Sequence, residues 1–229
     1  MSLANEPSTT KPRIGTAAII SLVISAAAGS LTWAQGPAAL VLEHSGTSTP
    51  DLAPYSEVME GAVVKLGPGA RLVFVDYFNC NRVTVNGAGM VRFSEQGSSV
   101  GGAAKKTTMR VPCPREIVIK NGGESSAMVL RGGEEDSLAL SIRPDFVLVG
   151  GRAADFIEVR FSKGTEKVLE GGLTGRRFSW PPNAPALADG GVYELVLLPK
   201  GPGAQPVKMS FRAAALSDQH EQQVLIRVD

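Results

Sequence analysis

The sequence predicts an all-β protein: two small antiparallel β domains that follow an N-terminal apolar helix. Three observations carry this expectation. The 229 residues include 26 glycines and 15 prolines, a density of turn formers that suits many short segments better than long helices. Short runs rich in β-branched and aromatic residues recur between those turns, several with apolar and polar residues alternating. The one long uncharged run lies near the N-terminus, ahead of all the strand-like segments. Residues 1–35 therefore read as a signal peptide or membrane anchor, 36–132 as a β domain and 133–229 as a β-sandwich.

Lys11 and Arg13 precede the run "IGTAAIISLVISAAAGSLTWA", which begins at Ile14, and the next charge is Glu43. A basic start, an apolar centre and a small residue at Ala34 form the pattern of an exported leader cleaved near Ala34. The same run, about 20 residues long, is also sufficient to span a bilayer as a retained helix. Positive charge on its N-terminal side leaves the remaining chain outside the cytoplasm in both cases. No cysteine closely follows the run, so a lipid anchor is not indicated. The expected location is periplasmic or otherwise extracytoplasmic.

The strands then follow in order. "AALVLEHSG" (38–46) is the first, and the Pro- and Ser-rich "TSTPDLAPYS" (47–56) is a connector. "GAVVKL", "ARLVFVDYF", "RVTVNGAG" and "MVRF" are separated by "GPG", "NCN" and "NGAG", which is the pattern of strands joined by hairpins. Asn86-Gly87 is the best local turn signal, because both residues accept the positive φ of a tight hairpin. "SEQGSSVGGAAKK" (94–106) lacks periodicity and is expected to be an exposed loop, and "REIVIKN" and "SAMVLR" add two strands. "GGEEDS" (132–137) marks the boundary. Beyond it Ile157, Val159 and Phe161 are expected on one strand face, with Glu158 and Arg160 on the other. Val207, Met209 and Phe211 repeat the arrangement against Lys208, Ser210 and Arg212, and "FVLVGG", "VYELVLL" and "VLIRV" complete the set. "SDQHEQQ" (217–223) reads as a helical turn or a loop tip.

The only two cysteines are Cys80 and Cys113, each in a turn-flanked segment. An even pair in an oxidising compartment is most simply a disulfide. A metal centre would need more ligands than His44 and His220, far apart in sequence, can supply. Closing a loop of this length would stabilise the fold by about 3–4 kcal/mol in the chain-entropy account.

"VMEGAVVKLGPGARLVFVD" followed by "RVTVNGAGMVRF" resembles the FecR-type periplasmic domain, over roughly residues 40–130. The resemblance implies a β-rich module used outside the cytoplasmic membrane for signal relay or protein contact, with no catalytic residues to carry over. The cysteine pair is not part of that family's general pattern. "FSWPPNAPALADGGVYELVLLP" is similar to the end of an immunoglobulin-like or fibronectin-like sandwich, which implies that Trp180 and Tyr193 anchor its core or edge.

With 23 basic and 22 acidic side chains the net charge is +1, so no global field favours nucleic acid, and none is expected as a partner. His44 and Ser45 are neighbours on a strand and point to opposite faces, which spoils proton exchange between them. Both histidines read as surface residues. Glu134, Glu135 and Asp136 lack the ligand alternation of a calcium loop, and Asp189 before Gly-Gly reads as a turn. "GSSVGGAAKK" lacks the order of a phosphate loop. Of "DYF", Tyr77 is expected on one face and Phe74 with Phe78 on the other. The residues left for partner contact are Tyr77, Lys105, Lys106 and Arg110. The sequence thus leads to a noncatalytic, cofactor-free binding or scaffolding module of the bacterial envelope, contacting an envelope or membrane protein. The alternative is a structural subunit anchored in a membrane complex through residues 14–34.

Overall fold

The computed structural model describes residues 36–119, 127–129, 138–215 and 223–229. The leader, the "GGEEDS" segment and all of "SDQHEQQ" but its last residue, His220 included, lie outside the described residues. The first half contains β1 (Pro37–Ser45), β2 (Ser48–Thr49), β3 (Glu57–Met59), β4 (Val63–Leu66), β5 (Arg71–Asp76), β6 (Asn81–Asn86), β7 (Gly89–Ser94), β8 (Gly97–Gly102) and β9 (Lys105–Arg110). There follow β10 (Arg115–Ile119), β11 (Ala127–Val129), β12 (Ala139–Ser141), β13 (Phe146–Val149), a single 3-10 turn, β14 (Phe156–Lys163), β15 (Glu166–Gly172), β16 (Arg177–Phe178), β17 (Val192–Pro199), β18 (Val207–Ala214) and β19 (Val224–Val228).

Four sheets result. The first is ordered β3-β1-β5-β6-β9 and the second β2-β4-β7-β8; the third is β11-β10-β19-β13-β16 and the fourth β12-β18-β17-β14-β15. The first two sheets enclose a core that includes Val41, Val64, Phe74, Val83, Val91 and Phe93. Between the third and fourth lies a larger core in which Phe146, Phe161, Phe178, Trp180 and Phe211 meet edge-to-face, tilted or stacked. Such contacts add to simple area burial because the ring quadrupoles are complementary.

A third apolar cluster joins the two sandwiches. Leu40 of the first sheet meets Val147, Val149 and Leu225 of the third, with Leu42, Tyr55 and Tyr77 packed around them. The sheets therefore stack in the order second, first, third, fourth, and the central strands of the two inner sheets are covered on both faces. This is why "FVLV" in β13 is buried at every position and why β5 is buried from Leu72 to Asp76. A strand covered on both sides has no solvent face to carry polar residues, and its sequence reads as a continuous apolar run.

Several expectations change. The sheets of the second sandwich are mixed, since β10 and β13 both run parallel to β19 and β12 runs parallel to β18. β10 precedes residue 132 in sequence, yet it hydrogen-bonds along its whole length to the C-terminal strand. Asn86-Gly87 does not close a hairpin: it carries the chain from β6 in the first sheet to β7 in the second, with Gly87 N–H donating to Ala70 O at 2.8 Å. "GPG" makes the same kind of crossing in reverse, between β4 and β5. These crossings crowd one rim of the sandwich, where a Cβ on Gly89 would stand 2.6 Å from the Ala104 side chain.

The segment 94–106, expected as a loop, forms the end of β7, all of β8 and the start of β9. Backbone pairing from Gly89↔Gly102 to Ser94↔Gly97 holds β8 in place, and a strand with little buried surface needs no apolar alternation. Ile157 points to solvent, 44% exposed, while Phe156 is buried. A bulge between Phe156 and Glu158, against Pro199 and Leu198 of β17, shifts the register by one residue and exchanges the two faces. Phe78 is 65% exposed because β5 ends at Asp76, so it does not share a face with Phe74.

A candidate binding edge and a basic cleft

Cys80 and Cys113 are disulfide-bonded. The bond ties the turn after β5 to the segment that leaves β9 and enters the third sheet. The other residues expected at a contact surface separate into two groups.

Tyr77 is partly buried. Its hydroxyl donates to Glu57 Oε1 at 3.2 Å, in a buried polar network at the junction of the sandwiches. Arg227 of β19 donates Nη2 to Glu57 Oε1 at 2.7 Å and Nη1 to Glu57 Oε2 at 3.1 Å, and its Nε donates to Glu116. The Gly150 N–H adds a fourth donor to Glu57, at 3.3 Å. Side-chain exposures of 15% for Arg227, 9% for Glu57 and 11% for Glu116 place the whole triad out of water. Burial, reinforced by the neighbouring Glu57 carboxylate, pushes the Tyr77 phenol well above its ordinary value.

Lys105, Lys106 and Arg110 lie on β9, the terminal strand of the first sheet, where all six residues are exposed. One side of β9 pairs with β6 in unbroken register, from Asn81↔Arg110 to Asn86↔Lys105. Lys106 Nζ donates to Ser98 O of β8 at 2.6 Å, and Met109 is an exposed apolar residue in the middle of the charged strand.

A feature the sequence did not disclose is a cleft of about 480 Å³ at the junction of the two sandwiches. The first sandwich contributes Leu42, Glu43, Tyr55 and Arg82 to its lining, and the second contributes Arg115, Leu140, Arg143, Asp145 and Arg177 among others. Arg177 forms a two-pronged pair with Asp145, at 3.1 Å and 2.9 Å, and its guanidinium is raised by that contact. Arg115 is shifted the other way, lowered by burial. Tyr55 holds a positive φ of 62°, which is uncommon outside glycine and asparagine; its N–H donates to Val41 O at 2.7 Å. The only sequence signals were the dispersed "RPD" and "GRR" triplets, because the arginines come together through sheet pairing and not through spacing.

His44 is half-buried, with Nε2 sealed from solvent and without a hydrogen-bond partner. Asp189 sits in a turn and accepts the Ala215 N–H at 2.8 Å. Among the described residues no group of three His, Cys, Asp or Glu side chains is placed to hold a metal ion, and no helix is long and apolar enough to cross a membrane. Comparison with protein-family models, with curated proteins and with solved structures finds no match for this chain.

Proposed function

We propose that this protein is a noncatalytic binding or scaffolding module of the bacterial envelope, exported or held at the membrane through residues 14–34, and that it recruits a protein partner along β9. One observation carries the reading. β9 is a six-residue terminal strand, paired on one side only and exposed on both faces. An edge of this kind accepts a further strand, with backbone hydrogen bonds giving affinity and side chains giving selection. Its charges select against a second copy: antiparallel pairing of β9 with itself sets Lys105 against Arg110, and like charges directly opposite are unfavourable. A partner strand carrying acidic residues would fit.

The first sandwich is read as a FecR-type module and the second as immunoglobulin-like. The Tyr193 hydroxyl, which accepts the Ala188 N–H at 2.9 Å just upstream of β17, supports the second reading. A photo-crosslinker at Thr108 of β9, compared with one at Lys208 on the fourth sheet, tests the proposal in native envelopes. A discrete adduct from Thr108 alone, lost on K105E/K106E, is the expected result. The same products from both positions, or none from Thr108, would refute it.

A further inference from the structure

The junction cleft contains four guanidinium groups, from Arg82, Arg115, Arg143 and Arg177, against two carboxylates. Both carboxylates are already engaged. Glu43 is shared by Arg71 at 3.5 Å and Arg82 at 3.3 Å, and Asp145 takes two bonds from Arg177 and one from Ser179 Oγ at 2.9 Å. Arg115 uses Nη1 on Ala139 O at 2.7 Å, but its Nε is sealed from solvent without an acceptor. Arg143 forms no ion pair with any described residue, although it lines the same cleft. A guanidinium without an anionic partner is free to pair with an incoming anion. The volume is in the ordinary range of small-molecule sites.

We propose that this cleft binds a small organic carboxylate, with Arg115 and Arg143 as the recognising groups and the ring of Tyr55, whose hydroxyl interacts with Arg177, beside them. Planar guanidinium donors match a carboxylate in geometry as well as charge. Leu42, Tyr55 and Leu140 provide surface for the carbon body of such a ligand, which inorganic phosphate lacks. The cleft is built from strands and turns, without the helix N-terminus that often cradles phosphate.

The test titrates glutarate and, separately, inorganic phosphate into the purified full chain. It is followed by calorimetry and by the Nε–H resonances of ¹⁵N-labelled arginine. Saturable glutarate binding is expected, with a shift of the Arg115 Nε–H signal and about tenfold weakening in Arg143→Gln, a substitution at an exposed position. Arg115→Lys keeps the charge while removing the Nε donor, and is expected to weaken binding in a folded protein. K105E/K106E should leave glutarate binding unchanged, so failure here is distinct from failure of the β9 reading. Absence of saturation, binding indifferent to both arginine substitutions, or saturation by phosphate but not glutarate would overturn the proposal.

Discussion

Two residues show how a polar group can organise a β-rich interior. Asp76 is almost fully buried, yet Oδ1 accepts the Phe78 N–H at 3.0 Å and Oδ2 accepts the Ser98 N–H at 2.8 Å, so one carboxylate links the turn after β5 to β8 of the second sheet. Asp76→Ala leaves both donors without an acceptor, and should cost about 2–4 kcal/mol in urea unfolding. Tyr77 yields a prediction with a definite sign. Its folded phenol is held well above 10.0, whereas in the unfolded chain it ionises near that value. The folded state thus keeps a proton that the unfolded state releases, and the associated stability is present below about pH 10 and lost as pH rises toward the folded value. Urea midpoints measured from pH 9 upward should fall more steeply in the wild type than in Tyr77→Phe. Equal slopes would contradict the assignment.

At the scale of the element, β14 shows that alternation predicts faces only where pairing is regular. Val159 and Phe161 point inward as expected, but the bulge exchanges Ile157 for Phe156. Ile157→Lys should therefore change stability by no more than about 0.5 kcal/mol, while Phe156→Ala should cost about 3–5 kcal/mol. Thermal or urea unfolding of the two variants would decide the matter, and a severe Ile157→Lys defect would refute the placement. β18 makes the contrast: with no bulge in its pairing to β17, Val207, Met209 and Phe211 are buried and the residues between them exposed, as the alternation predicts. β8 and β9 were illegible for the opposite reason. With backbone hydrogen bonds and little side-chain burial, they leave no apolar pattern to read.

For the molecule as a whole, the consequential contact is the one between the first and third sheets. Leu40, Val147, Val149 and Leu225 bury apolar surface there, and Arg227 with Glu57 and Glu116 provides a charged centre whose members are mutually satisfied. The two sandwiches should therefore unfold together, with amides of β5 and β17 losing hydrogen-exchange protection at one denaturant concentration. Arg227→Met leaves two carboxylates buried and unpaired, and should cost about 3–5 kcal/mol and split the single transition into two. Replacing Glu57, Glu116 and Arg227 together by apolar residues should recover much of that stability. One transition persisting in Arg227→Met would show that apolar packing alone couples the halves.

The sequence by itself determined the β class, the positions of most strands and the pairing of Cys80 with Cys113. Turn residues act locally, alternating apolar residues reflect which face is dry, and two cysteines in one chain allow one intramolecular bond. Only the tertiary structure decided which turns close hairpins and which cross between sheets, because both uses demand the same small residues. It also decided that β10 joins the C-terminal strand, that the Tyr77 hydroxyl meets Glu57 at the junction, and that arginines scattered from position 82 to 177 line one cleft. Those outcomes depend on contacts between residues distant in sequence, and such contacts leave no periodicity along the chain.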